Sequence, residues 1–257
     1  QEQIAPFIRG YFIEPVKNRL LRPVKKLSSI RRKIRWSSQV VQAIFLHLPK
    51  AAGSSIERVC SDERIPIDTL NQAWCKIDAH AAEFEGWFKF GFVRNPWDKM
   101  VSSWQMFSTW RRPEWFPVLP FEEFLKIAFA PREPEKISCE RVWKKKDGNP
   151  EEMAYYRDQY LMSIHNHSLY QCHPFYKMFD QSGKQLVDFV GRFEYLQSDF
   201  DKICEIVGIH PRKLPHLNSS EHKHYSFYYD DETRNLVDEY YHQDIEQFGY
   251  HFEDNAK

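Results

Sequence analysis

No stretch of the 257-residue chain approaches the roughly twenty consecutive apolar residues that cross a bilayer, and the first residues lack the apolar core of a secretion signal. A soluble protein is therefore expected. Net charge is missing too: 36 Lys and Arg stand against 36 Asp and Glu, so whole-molecule attraction to nucleic acid is not expected. Cysteine is sparse and unpatterned. Cys60, Cys75, Cys139, Cys172 and Cys204 are odd in number, widely spaced and without a Cys-x-x-Cys pair, which argues against a disulfide framework. Reduced thiols and a cytoplasmic setting are the expectation, although the chain begins at Gln1 rather than Met and its start carries no argument. Internal repeats, low-complexity tracts and the Gly-x-x-x-x-Gly-Lys-Ser/Thr order of a nucleoside-triphosphate loop are absent as well.

What is present suits one substantial α/β domain, with abundant Trp, Tyr and Phe. Residues 1–38 form a basic arm in which Arg9, Lys17, Arg19, Arg22, Lys25, Lys26, Arg31, Arg32, Lys33 and Arg35 face only Glu2 and Glu14. The arm reads as a packing segment with a solvated basic face, or as a surface for peripheral contact with an anionic acceptor or membrane. Residues 39–257 form the domain, with an exposed insertion at 136–150. Strands are expected at 40–48, 87–93 and 187–193. Helices are expected from Ser54 to Cys60, around His80 to Glu85, from Asn95 through Trp110, from Phe121 to Phe129, from Glu151 to Ile164, from Ser198 to Gly208, and from Asp230 or Asp231 to Phe248. Residues 61–75 read as irregular, with Pro66 as a breaker. Strands alternating with helices imply a mainly parallel sheet covered on both faces.

Two blocks carry the chemistry. Phe45-Leu-His-Leu-Pro-Lys-Ala-Ala-Gly-Ser-Ser-Ile56 and, about forty residues later, Phe90-Gly-Phe-Val-Arg-Asn-Pro-Trp-Asp-Lys-Met-Val-Ser-Ser-Trp104 each read as an apolar strand that breaks near a cation and turns into a helix. Such a turn aims backbone N–H groups and the positive end of a helix dipole at an anion. In the first block Lys50 adds a charge, Ala51, Ala52 and Gly53 leave the backbone open, and Ser54 and Ser55 offer hydroxyls. In the second, Arg94 can fork onto a phosphate, Asn95-Pro96 caps the helix, and Ser102 lies about two turns behind. Two such turns on one sheet suit a ligand with phosphates at both ends.

In this order and spacing the blocks resemble those of sulfotransferases that use 3′-phosphoadenosine 5′-phosphosulfate (PAPS), most closely the carbohydrate-type family 2 branch. The resemblance implies a P-loop-like three-layer α/β fold with a central, mainly parallel sheet flanked by helices. Lys50, Ala51, Ala52, Gly53, Ser54 and Ser55 occupy the positions of that family's 5′-phosphosulfate loop. Arg94, Asn95, Pro96 and Ser102 match its 3′-phosphate element. Two departures stand out: Ala51 lacks the hydroxyl often found after the lysine, and Ala52 replaces a glycine. Asp188 to Leu196 resembles the strand beyond which the base is bounded, making Arg192 and Phe193 candidates for contact with it. Leu214 to Tyr225 resembles a late loop that closes over the nucleotide, with Lys223 near phosphate and Asn218 near the loop's anchor.

Transfer to an alcohol needs a base, and a histidine is suited to that task near neutral pH. The residues alone do not choose among eleven histidines. The resemblance points to His80, on the segment just before the arginine strand. His47 reads as a packed, hydrogen-bonded residue. His165-Asn-His167 with Cys172 and His173 matches no common zinc spacing, and no metal is expected.

The expected activity is direct in-line sulfuryl transfer from PAPS to an acceptor hydroxyl, with PAP as product; family kinship favours a carbohydrate over a lipid or another small alcohol as acceptor. A P-loop-like kinase and a non-catalytic PAP-binding protein are the alternatives. Trp110 to Phe116 either lines a sugar cleft or packs. Oligomeric state is not legible.

Overall fold

Why the central strand lies where it does is visible in its four residues. Ala-Ile-Phe-Leu is buried on both faces, as the interior of a parallel sheet demands. A computed structural model of the chain describes residues 41–62, 67–70, 84–109, 111–112, 116–130, 150–171, 178–180, 182–215, 217 and 223–254. All of these fall in the unit Gln39–Lys257. The basic arm, and the expected insertion apart from Pro150, lie outside them.

In chain order the elements are β1 (Ala43–Leu46), α1 (Gly53–Asp62), β2 (Ile67–Leu70), β3 (Phe88–Val93), α2 (Pro96–Ser108), α3 (Phe121–Ala128), α4 (Pro150–Gln171), β4 (Phe189–Arg192), α5 (Leu196–Val207), α6 (Asp231–Tyr240) and α7 (His242–Phe248). Short 3-10 turns occupy Phe193–Tyr195 and Tyr225–Tyr228. The strands form one sheet in the order β2-β1-β3-β4, and every pairing is parallel.

Alternation along the strands builds the layers. Ala43 and Phe45 join Phe90 and Phe92 on one face, where Ile56 and Val59 of α1 and Phe200, Ile203 and Val207 of α5 cover them. Ile44, Leu46 and Val93 point the other way, against Met178, Phe179 and Phe248. A third cluster, centred on Trp97, Phe107, Phe124 and Tyr241, ties α2 to α3, α4 and α6. This is the expected three-layer arrangement. One glycine makes the layering possible: Gly191 sits opposite Phe92 in register, and a Cβ there would come within 2.5 Å of the Phe92 ring.

Several helix ends follow the predicted signals, whereas α5 starts at Leu196 rather than Ser198 and without a side-chain cap. Asn95 caps α2, its side chain accepting from the amides of Trp97 and Asp98, and Pro96 fills the first helical position. Gly208 and Gly249 end α5 and α7 in the left-handed conformation. Asp230 and Thr233 form a reciprocal cap at the start of α6.

Five expectations need correction. Residues 67–70 are not irregular: they form edge strand β2, whose Ile-Asp-Thr-Leu lacks the apolar pattern of a buried strand because it is paired on one side only among the described strands, with Asp68 exposed. β1 is shorter than 40–48, since Pro49 has no N–H to continue a ladder. The final helix is two helices. The backbone leaves helical geometry at Tyr241, whose fully buried ring lies under the Lys99 ammonium at 4.3 Å and whose hydroxyl meets Met100 Sδ at 3.5 Å. α4 continues past Ile164 to Gln171, its periodicity blurred by polar residues on several faces. Of the segment from His80 to Glu85 only Phe84 and Glu85 are described, and they lie in a turn rather than a helix.

Candidate active site

The strand order places a crossover point beside β1. The chain leaves β1 for β2 on one side and returns to pair β3 on the other, so the carboxyl ends of β1 and β3 flank the crevice where open α/β sheets bind ligands. Lys50 follows the first of those ends and Arg94 the second.

The turn after β1 has an unusual backbone. Lys50 and Ala52 both have φ of 64°, a left-handed conformation that costs a residue bearing Cβ about 1–2 kcal/mol. Ala52 then accepts from the amides of Ser55 and Ile56 and starts α1. Among the described residues no hydrogen bond takes the amides of residues 51–54, so four N–H groups remain at the positive end of α1. Ser54 is exposed at this end; Ser55 is buried.

His47 explains Gly53. The imidazole donates from Nδ1 to Glu57 Oε1 at 2.9 Å and stacks on Phe45, and any Cβ on Gly53 would overlap its ring. The glycine is required by this close approach rather than by its own dihedrals. His47 is the packed, hydrogen-bonded residue expected.

The two blocks touch. Arg94, 9% exposed, donates from Nη1 to the Lys50 carbonyl at 3.1 Å and from Nε to Asp98 Oδ2 at 2.8 Å. Its guanidinium lies 4.0 Å from the centre of the Phe193 ring. Nη2 donates to none of the described residues. Arg94 thus braces the strained turn and keeps one N–H edge in reserve.

Around the Lys50 ammonium the charge is one-signed. Its one acceptor among the described residues is the thioether of Met106, at 3.7 Å. Burial, then Arg94 and Arg111, lower its pKa to about 8. Lys50 and Arg111 also act on His167 of α4, whose pKa falls to about 3, mainly through burial. An ammonium among cations with only a sulfur to meet it is arranged for an anion.

The other predicted residues are distributed as follows. Ser102 is half-buried on α2, two turns behind Arg94. Phe193 supports Arg94 as described. Arg192 turns to the carboxyl-terminal segment, donating to the Phe248 carbonyl and lying 4.8 Å from the Tyr250 ring, while Asp199 takes its amide. Lys223 is exposed, 5.5 Å from the Phe227 ring. Phe116 is wholly buried against Tyr160 at 4.2 Å, so it packs rather than lines a cleft. His80, Asn218, Trp110, Cys172 and His173 lie outside the described residues. No group of metal-ligating side chains occurs among the described residues. No described helix is long and apolar enough to cross a membrane.

Sequence reasoning did not assign Met106, Asp98 or His167 to this site. Met106 and Asp98 carry no signal of their own on an ordinary amphipathic helix. His167 was visible only as part of an unconvincing metal pattern.

The family model of the sulfotransferase family matches residues 38–251, which is most of the chain. No curated protein and no solved structure matches it. With the parallel sheet and the two paired turns in place, that match identifies the chain as a member of the sulfotransferase family, in its family 2 branch, and hence as an enzyme of sulfuryl transfer.

Proposed function

We propose that the chain transfers a sulfuryl group from PAPS to an acceptor hydroxyl, with a carbohydrate as the acceptor class. The observation that carries this reading is the Lys50 turn: its ammonium stands among cations, its amides are open at the start of α1, and the arginine of the second turn donates to its carbonyl. The amides of residues 51–54 and the Ser54 hydroxyl bind the 5′-phosphosulfate end. Arg94, through its unused Nη2, and Ser102 bind the 3′-phosphate, and Phe193 holds the guanidinium in place. Lys223 closes over the nucleotide from the segment before the Tyr225–Tyr228 turn.

In the transfer the acceptor oxygen bonds to sulfur as the bond between sulfur and the 5′-phosphate oxygen breaks. The acceptor's proton passes to a base, assigned to His80, and PAP departs. Lys50 neutralises charge growing on the departing oxygen, and fixed donors do this without reorganisation. Carbohydrate as acceptor rests on the family 2 resemblance.

Incubation with labelled PAPS and a pool of sugars tests the proposal. Wild type is expected to label a sugar, and Lys50→Ala to lose about 100-fold or more in rate. Label transfer that survives Lys50→Ala undiminished removes that lysine from the mechanism. Protection by ATP with Mg²⁺ in place of PAP would point to a kinase.

A further inference from the structure

Among the described histidines, His167 is the one that electrostatics couple to Lys50, and it is not a residue that the two sequence blocks assign. It lies near the end of α4, with its ring edge-on to Phe107 at 5.4 Å, while the neighbouring residue on α2, Met106, holds the Lys50 ammonium at 3.7 Å. Two consecutive positions near the end of α2 thus contact Lys50 and His167 respectively, and the Lys50 charge acts on the imidazole. Arg111, just past that end, and Lys50 are the charged groups that act on the imidazole, and both are cationic. The ring is partly buried, and Nδ1 is its shut-in nitrogen: it is sealed from solvent and has no hydrogen-bond partner among the described residues. A proton sealed there would be a donor without an acceptor, which costs more than a sealed lone pair with a second nitrogen still open. The uncharged ring thus carries its proton on Nε2.

We propose that His167 donates a hydrogen bond from Nε2 to the anionic end of the donor nucleotide, beside Lys50, and so is a further binding residue of the transfer reaction. The inference rests on the reading that Lys50 meets the 5′-phosphosulfate. An imidazole is well suited to this place. A third full cation beside Lys50 and Arg111 would repel both, whereas an N–H donor on a neutral ring adds a directed contact without that repulsion. Burial and the two cations keep His167 neutral through the working pH range, its pKa being about 3. It is therefore a poor candidate for the acceptor's base, and its role is complementary to that of His80.

The test compares wild type with His167→Leu and His167→Gln by calorimetric PAP binding and by transfer from labelled PAPS. His167→Leu should weaken PAP binding and kcat/KM by about 10- to 100-fold, the usual consequence of removing one hydrogen bond to a charged acceptor. His167→Gln, which restores an amide donor, should recover most of that loss. The deficit of the Leu variant should be the same at pH 6 and pH 8, roughly, because the group is neutral at both. A structural role alone would not give rescue by the amide. Nitrogen NMR of histidine-labelled wild type covers the case of a variant that misfolds. It should show an Nε2–H tautomer for His167 whose signal moves on PAP addition. PAP binding with an unmoved signal, or a Leu variant that binds PAP as wild type does, overturns the assignment. Wild type that fails to bind PAP overturns the donor reading itself, and this inference with it.

Discussion

Lys50 combines a left-handed backbone, a partly buried ammonium and two arginines that act on it, and each feature has a measurable consequence. With its pKa lowered to about 8, the free protein loses this charge at a pH where an ordinary lysine keeps it. Anion binding favours the charged form, so the bound state holds a proton that the free state gives up above about pH 8. PAP affinity should therefore be level below about pH 8 and fall by up to about tenfold per pH unit above it. Lys50→Arg should flatten the curve, because guanidinium stays charged throughout. Calorimetric titrations from about pH 7 to about pH 10 check both. A wild-type curve that stays flat across that range would contradict the environment assigned to Lys50.

Among the elements, the turn between β1 and α1 departs most from ordinary conformation, and its sequence shows why a substitution there should help. Ala52 carries a Cβ at φ 64°, where the resembled family has glycine. Ala52→Gly should relieve that strain and raise stability by about 1 kcal/mol, less the entropy that glycine loses on folding. Urea unfolding should show a higher midpoint with an unchanged slope; a lower midpoint would mean that Ala52, half-buried, contributes packing that outweighs the strain.

Legibility differed between elements for identifiable reasons. α2 was readable because Asn95-Pro96 is a local cap signal, and α5 because Gly208 is a local stop. β2 was not readable, because an edge strand with Asp and Thr at its centre takes its conformation from the ladder with β1 rather than from propensity. The division between α6 and α7 was hidden for a similar reason. It follows from the burial of Tyr241 against Met100 and Lys99, over 140 residues away in sequence. In the site, Lys50 and Arg94 declared themselves through their flanking strands and small residues. Arg94 bracing the Lys50 carbonyl, and His167 sharing the Lys50 environment, depend on contacts across long separations that no local pattern encodes.

At the scale of the molecule, the site follows from strand order. Placing β1 beside both β2 and β3 opens the crossover, and the two blocks deliver a lysine turn and an arginine turn to its two sides. The sheet, the helices on both faces and the family match are consistent at every level from alternation to topology. The acceptor is a different matter. Stacking and hydrogen bonding to a sugar need only scattered aromatic and polar side chains, which leave no spacing to read, and one such candidate, Phe116, is packed in the core.

The central claim is that the two turns hold opposite ends of one nucleotide. Its most direct measurement is the ratio of affinities for PAP and for adenosine 5′-phosphate, which lacks the 3′-phosphate, in wild type and in Arg94→Ala. Using the ratio cancels any loosening of the Lys50 turn that removal of Arg94 causes. Wild type is predicted to prefer PAP by about 10- to 100-fold, the value of one charge-assisted pair, and Arg94→Ala to bind the two nucleotides nearly equally. A preference for PAP that persists undiminished in Arg94→Ala, or is missing from wild type, would contradict the account.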